Sequence, residues 1–150
     1  MKLYFLRHGV AVDAEVWDGL DSQRPLTPDG IARMKRQAKA MQRLGIVPDS
    51  IVSSPLLRAK QTAEIVAQRF DLGGRLYEDA RLGLDFSVDA LRAVVEERAG
   101  SGAVMLVGHE PSMSETIVQI IGGGRIDLKK GGLAYVCVPK SASPRERWYG

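Results

Sequence analysis

Cysteine, histidine and long apolar runs are all scarce in this sequence, and each scarcity closes off a class of protein. Its 150 residues hold one cysteine, so no disulfide forms within the chain, and a domain of this length buries enough surface to fold without one. Cys137 lies in the apolar run from Leu133 to Val138 and is expected as a core thiol in a reducing, hence cytoplasmic, compartment. The first apolar run, Leu3 to Leu6, is cut off by Arg7 and His8, which leaves it too short for a signal-peptide core or a membrane span. Excess charge is scarce too. With 21 Lys+Arg against 18 Asp+Glu the formal net charge is +3, too small to imply a nucleic-acid coat or a membrane-surface binder. Repeats, linkers and low-complexity tracts are absent. The 45% hydrophobic and 26% charged residues are those of a globular chain, expected as one domain over residues 1–150.

What is present is an alternation of strand and helix signals. Residues 2 to 6 read as a buried strand that delivers Arg7, His8 and Gly9 to a loop, and residues 10 to 26 form a polar, acidic excursion containing Trp17, expected to clip the loop onto the body. Thr27 and Pro28 make a cap and first-turn pair, and Ile31, Met34, Ala38, Met41 and Leu44 follow at helical spacing until Gly45. Ser50 to Ser53 is a second strand, with Ser54 and Pro55 expected to start a helix through Phe70. A weak strand at Arg75 to Glu78 precedes a third helix ending near Gly100. Ala103 to Val107 is the strongest buried strand, and a fourth helix follows Pro111. Five glycines between residues 122 and 132 mark a loop, Leu133 to Val138 a last strand, and Trp148 an added edge segment. This rhythm predicts an α/β protein with three layers, a mostly parallel central sheet covered by helices on both faces.

In such sheets ligands gather beyond the carboxyl ends of the strands. That rule brings together Arg7 and His8, the stretch Ser53 to Arg58, and Gly108, His109 and Glu110, so the only two histidines share one edge of the sheet. Arg58 and His109 also stand near helix starts, where free N–H groups favour anions. Two guanidiniums, an imidazole and two helix ends around a further imidazole suit a dianionic phosphoryl group. Arg7, Arg58 and His109 could hold its equatorial oxygens while His8, uncharged, attacks phosphorus in line. The two imidazole pKa values would then have to be pushed apart. A zinc or iron site would need a third ligand, and loop carboxylates such as Glu110 lack ligand spacing. Arg24 is read two ways, as a loop tie to Asp18 or Asp21 or as an extension of the pocket. Lys129 and Lys130 read as a solvated turn that could steer an acidic partner.

Four motifs now stand in order: Leu6-Arg7-His8-Gly9, Leu26-Thr27-Pro28-Asp29-Gly30, the stretch from Ser53 through Arg58 to Ala63, and Val107-Gly108-His109-Glu110-Pro111. Together they resemble the histidine phosphatase superfamily, and the short length with Arg24-Pro25-Leu26-Thr27 is similar to its small SixA-type phosphohistidine phosphatases. The resemblance implies a phosphoglycerate mutase-like fold, His8 as the phosphorylated nucleophile, and Arg7, Arg58 and His109 as the phosphoryl pocket, without metal or other cofactor. Gly9, Arg24 and Glu110, in or beside the motifs, are expected to extend substrate binding. Larger relatives carry a glutamate acid where this chain reads Arg81-Leu82-Gly83-Leu84-Asp85. The acid's position falls on Leu84, leaving Asp85 or Asp79 as displaced candidates.

That departure matters because an alkoxide leaving group needs a proton in the transition state, worth about 10²–10⁴-fold, whereas imidazole is a far weaker base. Only about ten residues separate the third strand from the third helix, too few for a helical lid. The expected activity is removal of phosphoryl from a histidine on a signalling or phosphotransfer protein, releasing inorganic phosphate, with no nucleic-acid or membrane partner. The alternatives are a broad small-molecule phosphomonoesterase or mutase using the same His8, and a phosphate-binding module that does not hydrolyse.

Overall fold

A computed structural model describes residues 1–98 and 102–138 of the chain. Next to its central strand lies β1 (Lys2–Arg7), whose side chains alternate between two cores as the pleat requires. Leu3 and Phe5 enter one core, Tyr4 and Leu6 the other. Beside it β4 (Ala103–Gly108) is buried along its whole length, the mark of a parallel strand covered on both faces. The sheet is completed by β2 (Ser50–Ser53), β3 (Leu76–Glu78) and β5 (Leu133–Cys137) in the order β3-β2-β4-β1-β5. All neighbours are parallel except β1 and β5. The result is the expected α/β architecture, a mostly parallel sheet between two helical layers.

One layer holds α1 (Pro28–Arg43) and α2 (Leu57–Phe70), which pack Met34, Ala38, Met41, Ala59, Ala63 and Val66 onto the sheet. The other holds α3 (Val88–Glu97) and α4 (Ser112–Ile121), through Leu91, Val94, Val95, Met113 and Ile117. Thr27 caps α1 as its residue type predicts, accepting from the Gly30 N–H at 2.9 Å, and Gly45 ends the helix in a left-handed turn at φ +78°. Between β3 and α3 the connection carries only the short turn Ala80–Leu82.

Three expectations are corrected. Ser54 does not cap α2, which starts at Leu57: the Ser54 N–H donates to Val107 O at 3.0 Å and prolongs the pairing with β4, leaving its hydroxyl for other work. Cys137 is exposed. The apolar run does belong to a strand, but β5 sits at the sheet's margin, with Ala134 and Val136 packed on the core while Tyr135 and Cys137 alternate outward. Trp17 clips the loop onto itself: its ring lies against Gly19 and its Nε1 donates to Leu20 O at 2.9 Å. Gly100 and the segment around Trp148 lie outside the described residues.

Candidate active site

The carboxyl ends of β1, β2 and β4 open into a cavity of about 520 Å³ lined by Arg7, His8, Arg24, Arg58, His109 and Glu110, with Leu84 and Lys130 at its mouth. His8 is held where β1 ends, its N–H donating to Gly108 O at 3.1 Å. Its Nδ1 lies 2.7 Å from Gly9 O. A carbonyl oxygen only accepts, so Nδ1 carries the hydrogen and Nε2 keeps its lone pair. Gly9 is required by space, because a Cβ there would come within 2.6 Å of Met34, and its N–H is taken by Thr62 Oγ1 at 3.1 Å.

His109 stands beside it, the two ring centroids 5.3 Å apart. The freed Ser54 hydroxyl meets His109 Nε2 at 2.8 Å and accepts from the Leu56 N–H at 3.2 Å. Nε2 is the one acceptor within reach of the hydroxyl proton, so Ser54 donates to it, which puts the ring's own hydrogen on Nδ1. Nδ1 is buried and has no partner in the protein. Neutral His109 is thereby a donor in waiting, and the same holds for the buried, unpartnered Nε of Arg7 and of Arg58. Orphaned buried donors are uncommon in proteins, and three on one cavity call for an anion.

Each arginine is anchored elsewhere. Arg7 Nη1 donates to Leu128 O at 3.0 Å, and the N–H of Gly131 donates to the carbonyls of Arg7 and His8. Arg58, only 3% exposed on the second residue of α2, donates from Nη1 to Asp21 O at 2.9 Å and from Nη2 to Asp21 Oδ2 at 3.2 Å. Arg24 satisfies both of its readings. It pairs with Asp21 at 3.1 Å and lines the cavity.

Burial, joined by repulsion from Arg58, Arg7 and Arg24, lowers the His8 pKa to about 4. Burial, with repulsion from His8 and Arg58, lowers that of His109 to about 3. Both imidazoles are therefore neutral at pH 7, and the expected divergence of their pKa values is absent. A bound dianion would raise both. The unfolded chain binds these protons near pH 6.5 and the folded chain only near 4 and 3, so stability is full above pH 6.5 and falls as acid is added. The His8 shift alone is worth about 3 kcal/mol by pH 4. Urea midpoints measured from pH 7 to pH 4 should show the decline, and His109→Gln should flatten it; an equal slope in the variant would refute this origin.

The remaining candidates fall apart from this group. Glu110 lines the cavity, yet its carboxylate accepts from Ser114 N at 2.9 Å and Ser114 Oγ at 2.6 Å, closing the first turn of α4. Asp79 is gripped by Arg81 through bonds of 2.9 and 2.7 Å, which hold its carboxyl below the usual range, and neither it nor Asp85 lines the cavity. Leu84, 56% exposed, stands at the mouth instead. Lys130, expected on a turn that could steer an acidic partner, lines the cavity, whereas Ser54 and Thr62 were not expected at the site. Ser54 had a signal, a hydroxyl at the carboxyl end of a strand, that its resemblance to a helix cap concealed. Among the described residues no three histidine, cysteine, aspartate or glutamate side chains cluster as a metal ion would need, and no helix is long and apolar enough to cross a membrane.

The chain belongs to the histidine phosphatase superfamily (branch 1), whose model matches residues 3–83. It is 40% identical over 138 residues to an uncharacterized protein of Picosynechococcus sp., covering 89% of this chain and 82% of the relative. It is 26% identical over 125 residues to the phosphohistidine phosphatase SixA of Escherichia coli strain K12, covering 82% of this chain and 76% of that protein. The fold is shared with the protein histidine phosphatase SixA complexed with tungstate, at a TM-score of 0.84 and 24% identity over 94% of this chain and 90% of the other.

Proposed function

We propose that this chain is a phosphohistidine phosphatase acting on a histidine carried by another protein. The observation that carries the reading is the pairing of a nucleophile with a mouth where a leucine, Leu84, stands in place of an acid. His8 has its hydrogen committed to Gly9 O and its Nε2 lone pair available, while Leu84 occupies the rim, Asp79 and Glu110 are engaged, and Asp13, on the cavity wall, accepts from the Glu15 N–H at 3.0 Å. The name of the Escherichia coli relative supports the same substrate class.

In the first step His8 Nε2 forms a bond to phosphorus as the bond from phosphorus to the substrate's imidazole nitrogen breaks. The electron pair leaves on that nitrogen, and the departing ring takes its proton from solvent. Positive charge developing on His8 is stabilised through Nδ1–H and the Gly9 carbonyl. Arg7, Arg58, Arg24 and the Nδ1–H of His109 hold the equatorial oxygens, where the charge of the transferring group is spread. Water then attacks phosphorus, the bond to Nε2 breaks, and inorganic phosphate leaves. No alkoxide is expelled in either step, so a leucine at position 84 in place of an acid costs little.

Turnover of a histidine phosphotransfer protein phosphorylated on histidine should exceed that of an alkyl ester, glycerol phosphate, by more than about 10²-fold in kcat/KM, the size of the contribution that a placed acid makes to expulsion of an alkoxide. Faster hydrolysis of the ester would overturn the substrate class and leave the nucleophile standing, and binding of either without turnover would make the chain a phosphate-binding module.

A further inference from the structure

Asp21 has a place in the molecule that its sequence position does not announce. It lies on the short turn Asp21–Gln23 in the excursion loop, its side chain 55% exposed, and it meets two cations of the cavity at once. One carboxylate oxygen accepts from Arg24 Nε at 3.1 Å, the other from Arg58 Nη2 at 3.2 Å, and its own main-chain carbonyl accepts from Arg58 Nη1 at 2.9 Å. We propose that Asp21 is a positioning residue for phosphoryl transfer, locking the guanidinium of Arg58 and, through the same carboxylate, that of Arg24 in the orientation that grips the equatorial oxygens.

Charge and geometry both lead there. Arg7, Arg24, Arg58 and Lys130 surround one cavity, and four cations in a small volume repel one another. A long, unbranched arginine chain yields to that repulsion by changing rotamer unless something fixes it. Main-chain groups could fix Arg58 without adding charge, and one of them does. The carboxylate adds what a carbonyl cannot, a negative charge between the two arginines, and it is the one carboxylate that acts on Arg58 and on His109. Its own ionised form is favoured by Arg24 and Arg58, so it stays charged across the neutral range. As a half-exposed ion pair it contributes little to stability, which leaves orientation as its main effect. The loop carrying Asp21 is itself tied down, with Arg24 Nη1 donating to Val12 O at 2.8 Å, Val12 N to Pro25 O at 2.9 Å, and Ala11 bridging Leu26. A rigid loop gives the carboxylate a fixed origin from which to hold its two partners.

Orientation for in-line transfer has a signature that loop support lacks. Vanadate takes up the five-coordinate geometry of the displacement, and inorganic phosphate the tetrahedral ground state. A residue that aims donors at equatorial oxygens matters more for the first than for the second. Asp21→Asn should weaken inhibition by vanadate more than about tenfold and by phosphate less than about threefold, with kcat falling in step with vanadate affinity. Asp21→Glu, which restores the charge, should recover part of both losses. Asp18→Asn, a loop carboxylate outside the cavity, should change neither. Equal weakening of both anions would make Asp21 a general electrostatic contributor, and tighter binding with undiminished kcat would make it a competitor of substrate. Either result overturns the proposal, as does a drop in melting temperature that Asp21→Glu shares while the anion affinities of both variants stay at wild-type values. The inference rests on the phosphoryl-pocket reading of the site. If the wild type binds no vanadate, that reading fails; if it binds vanadate and Asp21→Asn binds it equally well, only Asp21 is dismissed.

Discussion

His8→Ala is expected to abolish turnover and covalent labelling together. In a two-step displacement the nucleophile is the one group whose loss removes the reaction path itself, and deletions of that kind cost at least about 10⁴-fold in kcat. The fold should survive. His8 lines the cavity where β1 ends, and the burial that keeps it neutral makes its removal relieve a desolvated polar group. The decisive measurement is quenching, in alkaline denaturant, of enzyme mixed with phosphate-labelled histidine protein. Wild type should carry label that is stable to alkali and lost in acid, as a phosphorus–nitrogen bond is, and the variant should carry none. Label on the variant, or activity above about 1% of wild type, would assign the nucleophile elsewhere.

How much of this was readable from the chain depends on whether a feature is set by local pattern or by the sheet as a whole. The runs at Leu3 to Leu6 and Ala103 to Val107 announce strands buried on both faces, and the general rule for parallel sheets then puts whatever follows them at one edge. For that reason His8 and His109 could be brought together on paper, and they stand with ring centroids 5.3 Å apart. Ser54 shows the opposite case. Serine before proline has the local appearance of a helix start, but the neighbouring strand claims its N–H and the histidine its hydroxyl, and neither claim is visible within ten residues. Cys137 illustrates a second kind of loss, since an apolar run does not reveal which strand will end at the margin with one face open. The tautomers of the two imidazoles, the closure of Glu110 on Ser114 and the double hold of Asp21 depend on side-chain rotamers. Residue types limit these choices without making them.

Arg58 carries the other large effect. Its guanidinium is held by Asp21 on the two Nη atoms, its Nε is buried without a partner, and burial lowers its pKa, so the protein bears a desolvated cation that its own contacts do not fully compensate. Such a group is disadvantageous for folding and valuable for binding an anion, which is the usual trade at a preorganised site. Arg58→Met keeps the length and packing of the side chain and deletes the charge. Transition-state stabilisation should fall by about 3–4 kcal/mol, or about 10²–10³-fold in kcat/KM, while the melting temperature holds or rises. Arg58→Lys should rescue poorly, because an ammonium lacks the fork that reaches both Asp21 oxygens and the substrate together. The combination discriminates between two roles. If Arg58 were mainly a strut for the excursion loop, stability would drop with either substitution and activity would follow the folded fraction. A loss of about tenfold or less in fully folded Arg58→Met would place the guanidinium outside the phosphoryl pocket and leave Arg7, Arg24 and His109 to hold the oxygens.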